Sequence, residues 1–247
     1  IQEKIMKQFG LIGKTLKHSF SKSFFSEYFE KNGIQATYTN YPLAQIEAFK
    51  TLVDSKNLSG LNVTIPYKES VIPFLDEVSE EAKIIGAVNT IQFKEGRLIG
   101  HNTDAYGFHQ SIKPFLTNRH ERALILGTGG ASKAITYVFK SLGIDVITIS
   151  RNPKGNKQFN YSEVNEHMLN ACKVIVNCTP VGTSPNVNEF PPIPFEFLTD
   201  EHLVVDLIYN PEETAFLRQA KEHSATILNG YAMLQQQALK AWEVWTK

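Results

Sequence analysis

The stretch ALILGTGGAS, Ala123 to Ser132, decides the fold. Four apolar residues of strand character run into Gly127-Thr128-Gly129-Gly130, and a helical pattern over 131–142 follows, closed by Gly143. A strand that enters a glycine turn and leaves as a helix opens a βαβ unit, the setting in which a glycine fingerprint binds a dinucleotide. Gly127 permits the tight turn, and Gly129 and Gly130 let backbone amides approach a pyrophosphate. Ala131 opens a helix whose N-terminus offers oriented donors and partial positive charge. Ser132 stands at the third glycine position and is small enough for helix–strand packing.

Outward from that turn, strand patterns recur at 146–150, 174–178, 204–208 and 226–228, with helices or loops between them. Upstream of a polar break at 117–122, strands are expected at 9–13, 36–41 and 61–65, with a hairpin at 88–93 and 97–102. Helices are expected at 22–32, 43–55 and 105–116. Alternating strands and helices imply parallel sheets with covered faces. The expected class is therefore α/β, with an N-terminal α/β domain and a Rossmann-like domain. The last helix, at 231–245, has an apolar stripe that includes Gln237, as if it crossed back to the first domain and left that carboxamide at a cleft. The expected domains are residues 1–105 with 230–247, and residues 106–229.

The nucleotide's identity is read at the end of the strand after the glycine turn. A dinucleotide without a 2′-phosphate calls for an acid there, to hold the ribose hydroxyls. This chain has Ser150-Arg151-Asn152, with Lys154 shortly after. No carboxylate repels a 2′-phosphate, and Arg151 can clamp one through paired charged hydrogen bonds. NADP(H) is the expected cofactor.

A second informative stretch is LNVTIPYKE, Leu61 to Glu69. Leu61, Val63 and Ile65 alternate with Asn62 and Thr64, the period of a strand with one face in a core. Pro66 ends ladder pairing just as Lys68 arrives. A carboxamide, a hydroxyl and an amine thus gather at one strand end, a set suited to a small polyhydroxylated ligand.

Composition narrows the partners. The 247 residues carry 25 basic and 25 acidic side chains, so no strong field recruits nucleic acid or an anionic membrane. No apolar run approaches a membrane span. Ile1 is no initiator, so the residues before Met6 read as an extension. Cys172 and Cys178 are expected on one face of a buried strand as reduced core thiols, and the histidines have no zinc-ligand spacing. No metal is expected. A cytoplasmic monomer or homodimer fits these numbers.

Together these segments resemble the shikimate dehydrogenase family, and the likeness covers nearly the whole chain from Gly10 to Trp245. The motifs come in family order. His18-Ser19-Phe20-Ser21 is followed by Asn62 to Lys68, by Gly86-Ala87-Val88-Asn89-Thr90 and by Asn102-Thr103-Asp104. The glycine turn, Asn177 to Gly182, Asp206 to Pro211 and Asn229 to Gln237 complete the series. The resemblance implies reversible NADPH-dependent reduction of 3-dehydroshikimate to shikimate, in aromatic amino acid (chorismate) biosynthesis. It implies that Ser19 and Ser21 bind the substrate carboxylate. Asn62, Thr64, Asn89, Asp104 and Gln237 would bind ring hydroxyls, with Tyr209 lining the site. Lys68 and Asp104 would form the catalytic pair. The implied cofactor set adds Thr179 and Gly230 to Gly127, Gly129, Gly130, Ala131, Ser150, Arg151 and Lys154. Two positions depart from the family pattern: Lys22 stands where proline is common, and Thr183 where methionine is frequent.

Chemistry agrees with that assignment. Hydride addition to a ketone builds negative charge on oxygen, and an ammonium can both stabilise that charge and deliver the proton. Sequence leaves open whether Lys68 alone or the Lys68–Asp104 pair shuttles it. Asp104 also directly precedes a helix and suits an N-cap, as Ser21 suits a cap for a helix starting at Lys22. His18 and His101 are given packing or hydrogen-bonding roles. Closure about Ala105 and Gly230 is expected to exclude water. The rival readings are a quinate/shikimate dehydrogenase that also uses NAD and a non-catalytic sensor of shikimate-pathway metabolites. A methylenetetrahydrofolate dehydrogenase is opposed by the absence of a tyrosine four residues before Lys68.

Overall fold

The computed structural model describes residues 6–16 and 19–247; the residues before Met6, and His18, lie outside the described residues. The chain divides into two compact units. One runs through Gly107 and resumes at Leu234–Lys247, and the other is Phe108–Met233.

In the first unit the chain runs β1 (Lys7–Gly13), α1 (Phe20–Lys31), β2 (Ala36–Pro42), α2 (Ala48–Ser55), β3 (Gly60–Val63), α3 (Tyr67–Ser70) and β4 (Glu77–Val78). It continues with α4 (Glu80–Ile85), β5 (Thr90–Lys94), β6 (Arg97–His101) and the start of α5 (Asp104–Ile112). Six strands form one sheet in the order β2-β1-β3-β5-β6-β4. β2, β1 and β3 are parallel, and β5 returns antiparallel to β3. Each face of this sheet is covered. Leu61 and Val63 of β3 enter a core with Ile12, Phe49, Tyr67 and Val88. Phe9 and Leu11 of β1 enter another with Phe25, Phe29, Tyr38, Ala238 and Trp245. All four residues of β3 are buried, so Asn62 faces protein where an edge strand would face water.

The second unit contains β7 (Arg122–Leu126), α6 (Gly130–Ser141), β8 (Asp145–Ile149), β9 (Gln158–Phe159), α7 (Glu166–Ala171) and β10 (Val174–Asn177). It ends with β11 (Leu203–Asp206), α8 (Ala215–Glu222), β12 (Thr226–Leu228) and the start of α9 (Tyr231–Thr246). Its sheet, ordered β12-β11-β10-β7-β8-β9, is parallel throughout. β10 and β11 are buried along their whole length, as central parallel strands must be.

Three expectations change. α1 starts at Phe20 because Ser19 is the N-cap and its Oγ accepts from the Lys22 amide at 3.2 Å. Ser21 is thus inside the first turn and caps nothing. α2 starts at Ala48, not at 43, because the Leu43 amide donates to the Gly13 carbonyl and prolongs the sheet. Cys172 and Cys178 do not share a strand: Cys172 ends α7 and Cys178 follows β10. Both are free thiols, and burial pushes Cys172 up to about 12 and raises Cys178 as well, leaving both inert near neutrality. Among the described residues no helix is long and apolar enough to cross a membrane, and no cluster of His, Cys, Asp or Glu could hold a metal ion.

Candidate active site

The turn after β3 brings Lys68 into place. Thr64 closes it by accepting the Tyr67 amide, and Tyr67 anchors α3 in the core with its hydroxyl on the Leu43 carbonyl at 2.6 Å. Lys68 Nζ then donates to Asp104 Oδ2 at 2.6 Å, with 15% and 8% of the two side chains exposed. Asp104 is free for this because the cap of α5 lies elsewhere: Asn102 Oδ1 accepts from the Ala105 amide at 3.1 Å. The capping role expected of Asp104 belongs to Asn102.

Asn89 fixes the other carboxylate oxygen. Its Nδ2 donates to Asp104 Oδ1 and to Thr103 Oγ1, both at 3.0 Å, and its Oδ1 accepts from the Thr103 amide at 2.7 Å. Asn62 is similarly occupied. Its Oδ1 accepts from the Tyr38 hydroxyl at 2.8 Å, and its Nδ2 donates to the Asn89 carbonyl and Thr90 Oγ1. Both carboxamides are almost fully buried, and all their donors are committed to protein. Gln237 is buried beside them. Its Oε1 lies 3.5 Å from Asn89 Nδ2 and Thr103 Oγ1, and its Nε2 donates to the Leu234 carbonyl. The second half of α9 reaches this place because Trp245 Nε1 donates to the Ile91 carbonyl and Gln92 Nε2 to the Val244 carbonyl.

Lys68, Asp104, Asn89, Asn62 and Gln237 are thus linked through shared partners in one unit, which also holds the half-buried Ser19, Ser21 and Thr64. Tyr209 stands in the other unit, after β11, where burial raises its hydroxyl pKa. Sequence reasoning missed Tyr38, Thr90, Asn102 and Thr103. The last three adjoin predicted residues inside the same motifs, whereas nothing local marks Tyr38.

The glycine turn of the second unit fits a dinucleotide. Gly127 has φ +106°, and a Cβ there would come within 3.0 Å of Thr179 Cγ2 and 3.5 Å of the Cys178 carbonyl oxygen. Gly129 is the N-cap of α6 with no side chain capping the helix, and open space surrounds the place of its missing Cβ. The first amides of a twelve-residue helix, including those of Gly130 and Ala131, therefore have no side-chain cap to compete with an anion. Ser132 is buried and returns its hydroxyl to the Gly129 carbonyl, which accommodates it at the third glycine position. Beyond β8, Ser150 Oγ accepts the Asn152 amide, and Arg151 and Lys154 are exposed. Thr179 is held by its hydroxyl and amide on Asn177 Oδ1. Gly230 is needed where it is because a Cβ would meet the Leu207 carbonyl at 2.0 Å.

A buried lysine–carboxylate pair can move a proton but carries no hydride, and the glycine turn has room for a nucleotide that could supply one. The chain is accordingly a nicotinamide-nucleotide-dependent oxidoreductase. The comparisons with known proteins agree. A family model described as Shikimate dehydrogenase substrate binding domain matches residues 11–91. The NADP(+) shikimate dehydrogenase of Carboxydothermus hydrogenoformans is 40% identical over 253 residues, covering 96% of this chain and 90% of that one. The crystal structure of shikimate dehydrogenase from Aquifex aeolicus superposes with a TM-score of 0.87 at 33% identity, covering 99% of this chain and 94% of the other. The Thermus thermophilus enzyme, solved in complex with NADP(H) and shikimate, gives 0.84 at 32% identity, with 98% and 94% covered. The chain belongs to the shikimate dehydrogenase family.

Proposed function

We propose that this chain catalyses the reversible NADPH-dependent reduction of 3-dehydroshikimate to shikimate, a step of aromatic amino acid biosynthesis. The observation that carries the reading is the Lys68–Asp104 pair at 2.6 Å in a chain of this family. A nicotinamide nucleotide, when bound, would supply the hydride. Lys68 supplies the proton: its ammonium has three donors, one directed at Asp104, and another can reach a ketone oxygen as charge builds there. In the oxidative direction the neutral amine takes the proton back from the hydroxyl, and Asp104 keeps it oriented. Asp104 itself stays in register through its second oxygen on Asn89.

Ser19 and Ser21 suit a carboxylate because they stand at the N-terminus of α1. Ser19 Oγ accepts from the Lys22 amide, so its own proton is available to donate. A proline at position 22 has no amide hydrogen to make that bond, so this chain's lysine gives Ser19 an anchor that the common family residue lacks. Thr64, Asp104 and Gln237 are proposed at the ring hydroxyls, with Tyr209 also at the substrate. Asn62 and Asn89 are proposed at the ring hydroxyls as well and, with their amide donors engaged on protein, also hold that surface in place. The nucleotide is assigned to Gly127, Gly129, Gly130, Ala131, Ser150, Arg151, Lys154, Thr179 and Gly230, with Arg151 on the 2′-phosphate.

The test is shikimate-dependent reduction of NADP, followed at the nicotinamide absorbance, with NAD and quinate as parallel arms. Turnover with shikimate and NADP well above the other combinations is the expected result. Shikimate binding by calorimetry without turnover on either nucleotide would replace the enzyme with a metabolite sensor.

A further inference from the structure

Tyr38 has been given no part in the proposed chemistry so far, yet its hydroxyl donates to Asn62. It lies on β2 opposite Phe9 of β1, while Asn62 lies on β3 opposite Leu11 of β1. By strand alternation Tyr38, Phe9, Leu11 and Asn62 share one face, and the phenol spans the whole width of β1, roughly 9–10 Å between the outer strands. Its ring is buried and stacked on Phe25 of α1, with centroids 4.8 Å apart and planes at 15°. Burial raises the Tyr38 hydroxyl pKa and keeps its proton in place.

The orientation of the Asn62 and Asn89 carboxamides is fixed by groups with only one option. The Asn89 backbone carbonyl can only accept, so Asn62 must turn Nδ2 toward it and Oδ1 toward Tyr38. Tyr38 must then donate to Asn62. The Thr103 backbone amide can only donate, so Asn89 Oδ1 faces it and Asn89 Nδ2 faces Asp104. Between the two carboxamides, Thr90 Oγ1 accepts from Asn62 at 3.1 Å and donates to Asn89 at 3.2 Å. The donors therefore run one way, Tyr38 to Asn62 to Thr90 to Asn89 to Asp104, and end on a carboxylate.

We propose that Tyr38 is a positioning residue which, through Asn62, holds the catalytic aspartate in place by this one-way hydrogen-bond chain. The proposal rests on the catalytic role given above to Asp104. Its consequence is that a hydroxyl four hydrogen bonds from Asp104 sets how firmly that carboxylate is held. A chain of this kind is cooperative, because each donor polarises the next.

Tyr38→Phe deletes one oxygen and keeps the stacked ring. The expected outcome is a fall in kcat/KM for shikimate of about tenfold or more, because a buried acceptor on Asn62 loses its donor. The KM for NADP should stay at the wild-type value. Asn62→Ala cuts the next link, so the double variant should be no slower than the worse single variant. Independently of turnover, the Asn89 side-chain amide protons should exchange faster in Tyr38→Phe when followed by NMR. Wild-type turnover of shikimate decides the functional reading separately, and the NMR arm remains decisive if that reading fails. A kcat/KM within twofold of wild type, additive losses in the double variant, or unchanged Asn89 exchange would each overturn the relay.

Discussion

Lys68 Nζ and Asp104 Oδ2 meet at 2.6 Å although 36 residues separate them in the chain. Neither residue is placed by its own helix alone. α3 is only four residues long and depends on Tyr67 for its anchorage, while Asp104 is released from capping by Asn102. The pair is thus positioned by neighbours that do not touch the reacting atoms.

Lys68→Met should lower kcat by about 10²- to 10⁴-fold, the usual contribution of a positioned proton-transfer group. Shikimate KM should move only a few-fold, because carboxylate recognition is proposed at Ser19 and Ser21. Lys68→Arg should be comparably slow, since a guanidinium keeps the charge but does not release its proton near neutrality. Steady-state kinetics with saturating NADP, beside a melting curve for each variant, checks this. Retention of more than a tenth of wild-type kcat in Lys68→Met would assign proton transfer elsewhere.

Arg151 is exposed at the end of β8, and Tyr161 lies close enough to feel its charge. Arg151→Ala should raise the KM for NADP by roughly 10- to 100-fold, the loss of a charge-assisted hydrogen-bond pair. The KM for NAD should hardly change, because NAD has no 2′-phosphate to lose. Equal effects on both nucleotides would mean that Arg151 meets the shared pyrophosphate or serves the fold.

Asp206 is fully buried at the end of β11, and its pKa is pushed from 3.8 up to about 6. Desolvation is the main cause, against the bonds from Thr214, the Ile208 amide and Asn177. A raised native pKa means that the folded state holds a proton which the unfolded chain has already released. This contribution is therefore full below the unfolded value near 4, declines as pH rises and is gone above about 6. An interval of about two pH units, at ~1.4 kcal/mol per unit, gives about 3 kcal/mol. Asp206→Asn has no such slope, so between pH 4 and 7 the stability difference should move against wild type by up to that amount. Both cysteines lie in this unit and Cys172 is completely buried, so thiol labelling of Cys172 reports its opening. Parallel pH profiles for the two proteins would show that Asp206 is ionised throughout the range.

The order of strands and helices was legible because period and punctuation are local properties. The glycine turn, the strand before it and the helix after it stand where Ala123 to Leu142 placed them. Boundaries failed where a tertiary partner intervened, as when Gly13 captured the Leu43 amide, or where a near neighbour took the cap, as Ser19 did. The even spacing of Cys172 and Cys178 suggested a strand, but α7 ends on the first of them. Of the site, residue types could be read and their partners could not. Asn62 and Asn89 look like ligand-binding carboxamides in the sequence, whereas their commitment to Tyr38, Thr90 and Thr103 follows from sheet order and register.

Gly60 gives a last prediction, which links packing to the site. A Cβ on Gly60 would fall 2.4 Å from Trp245 Cδ1 and 2.5 Å from Trp245 Nε1. The indole has little freedom to retreat. It donates to the Ile91 carbonyl at 3.0 Å and stacks on Phe9 with centroids 4.7 Å apart. Gly60→Ala should therefore destabilise the unit by about 1–3 kcal/mol, the range for overpacking a core. Both tryptophans of the chain lie on α9 in this unit, so their fluorescence follows its unfolding in urea. Gln237 rides on the same helix two turns earlier, so shikimate KM should rise while the KM for NADP holds. Pairing the change with Trp245→Phe should recover part of the stability, because the smaller ring vacates the contested space at the cost of the Ile91 bond. An unfolding midpoint unchanged in Gly60→Ala would mean that α9 slides along the sheet more readily than its hydrogen bonds to Ile91 and from Gln92 allow.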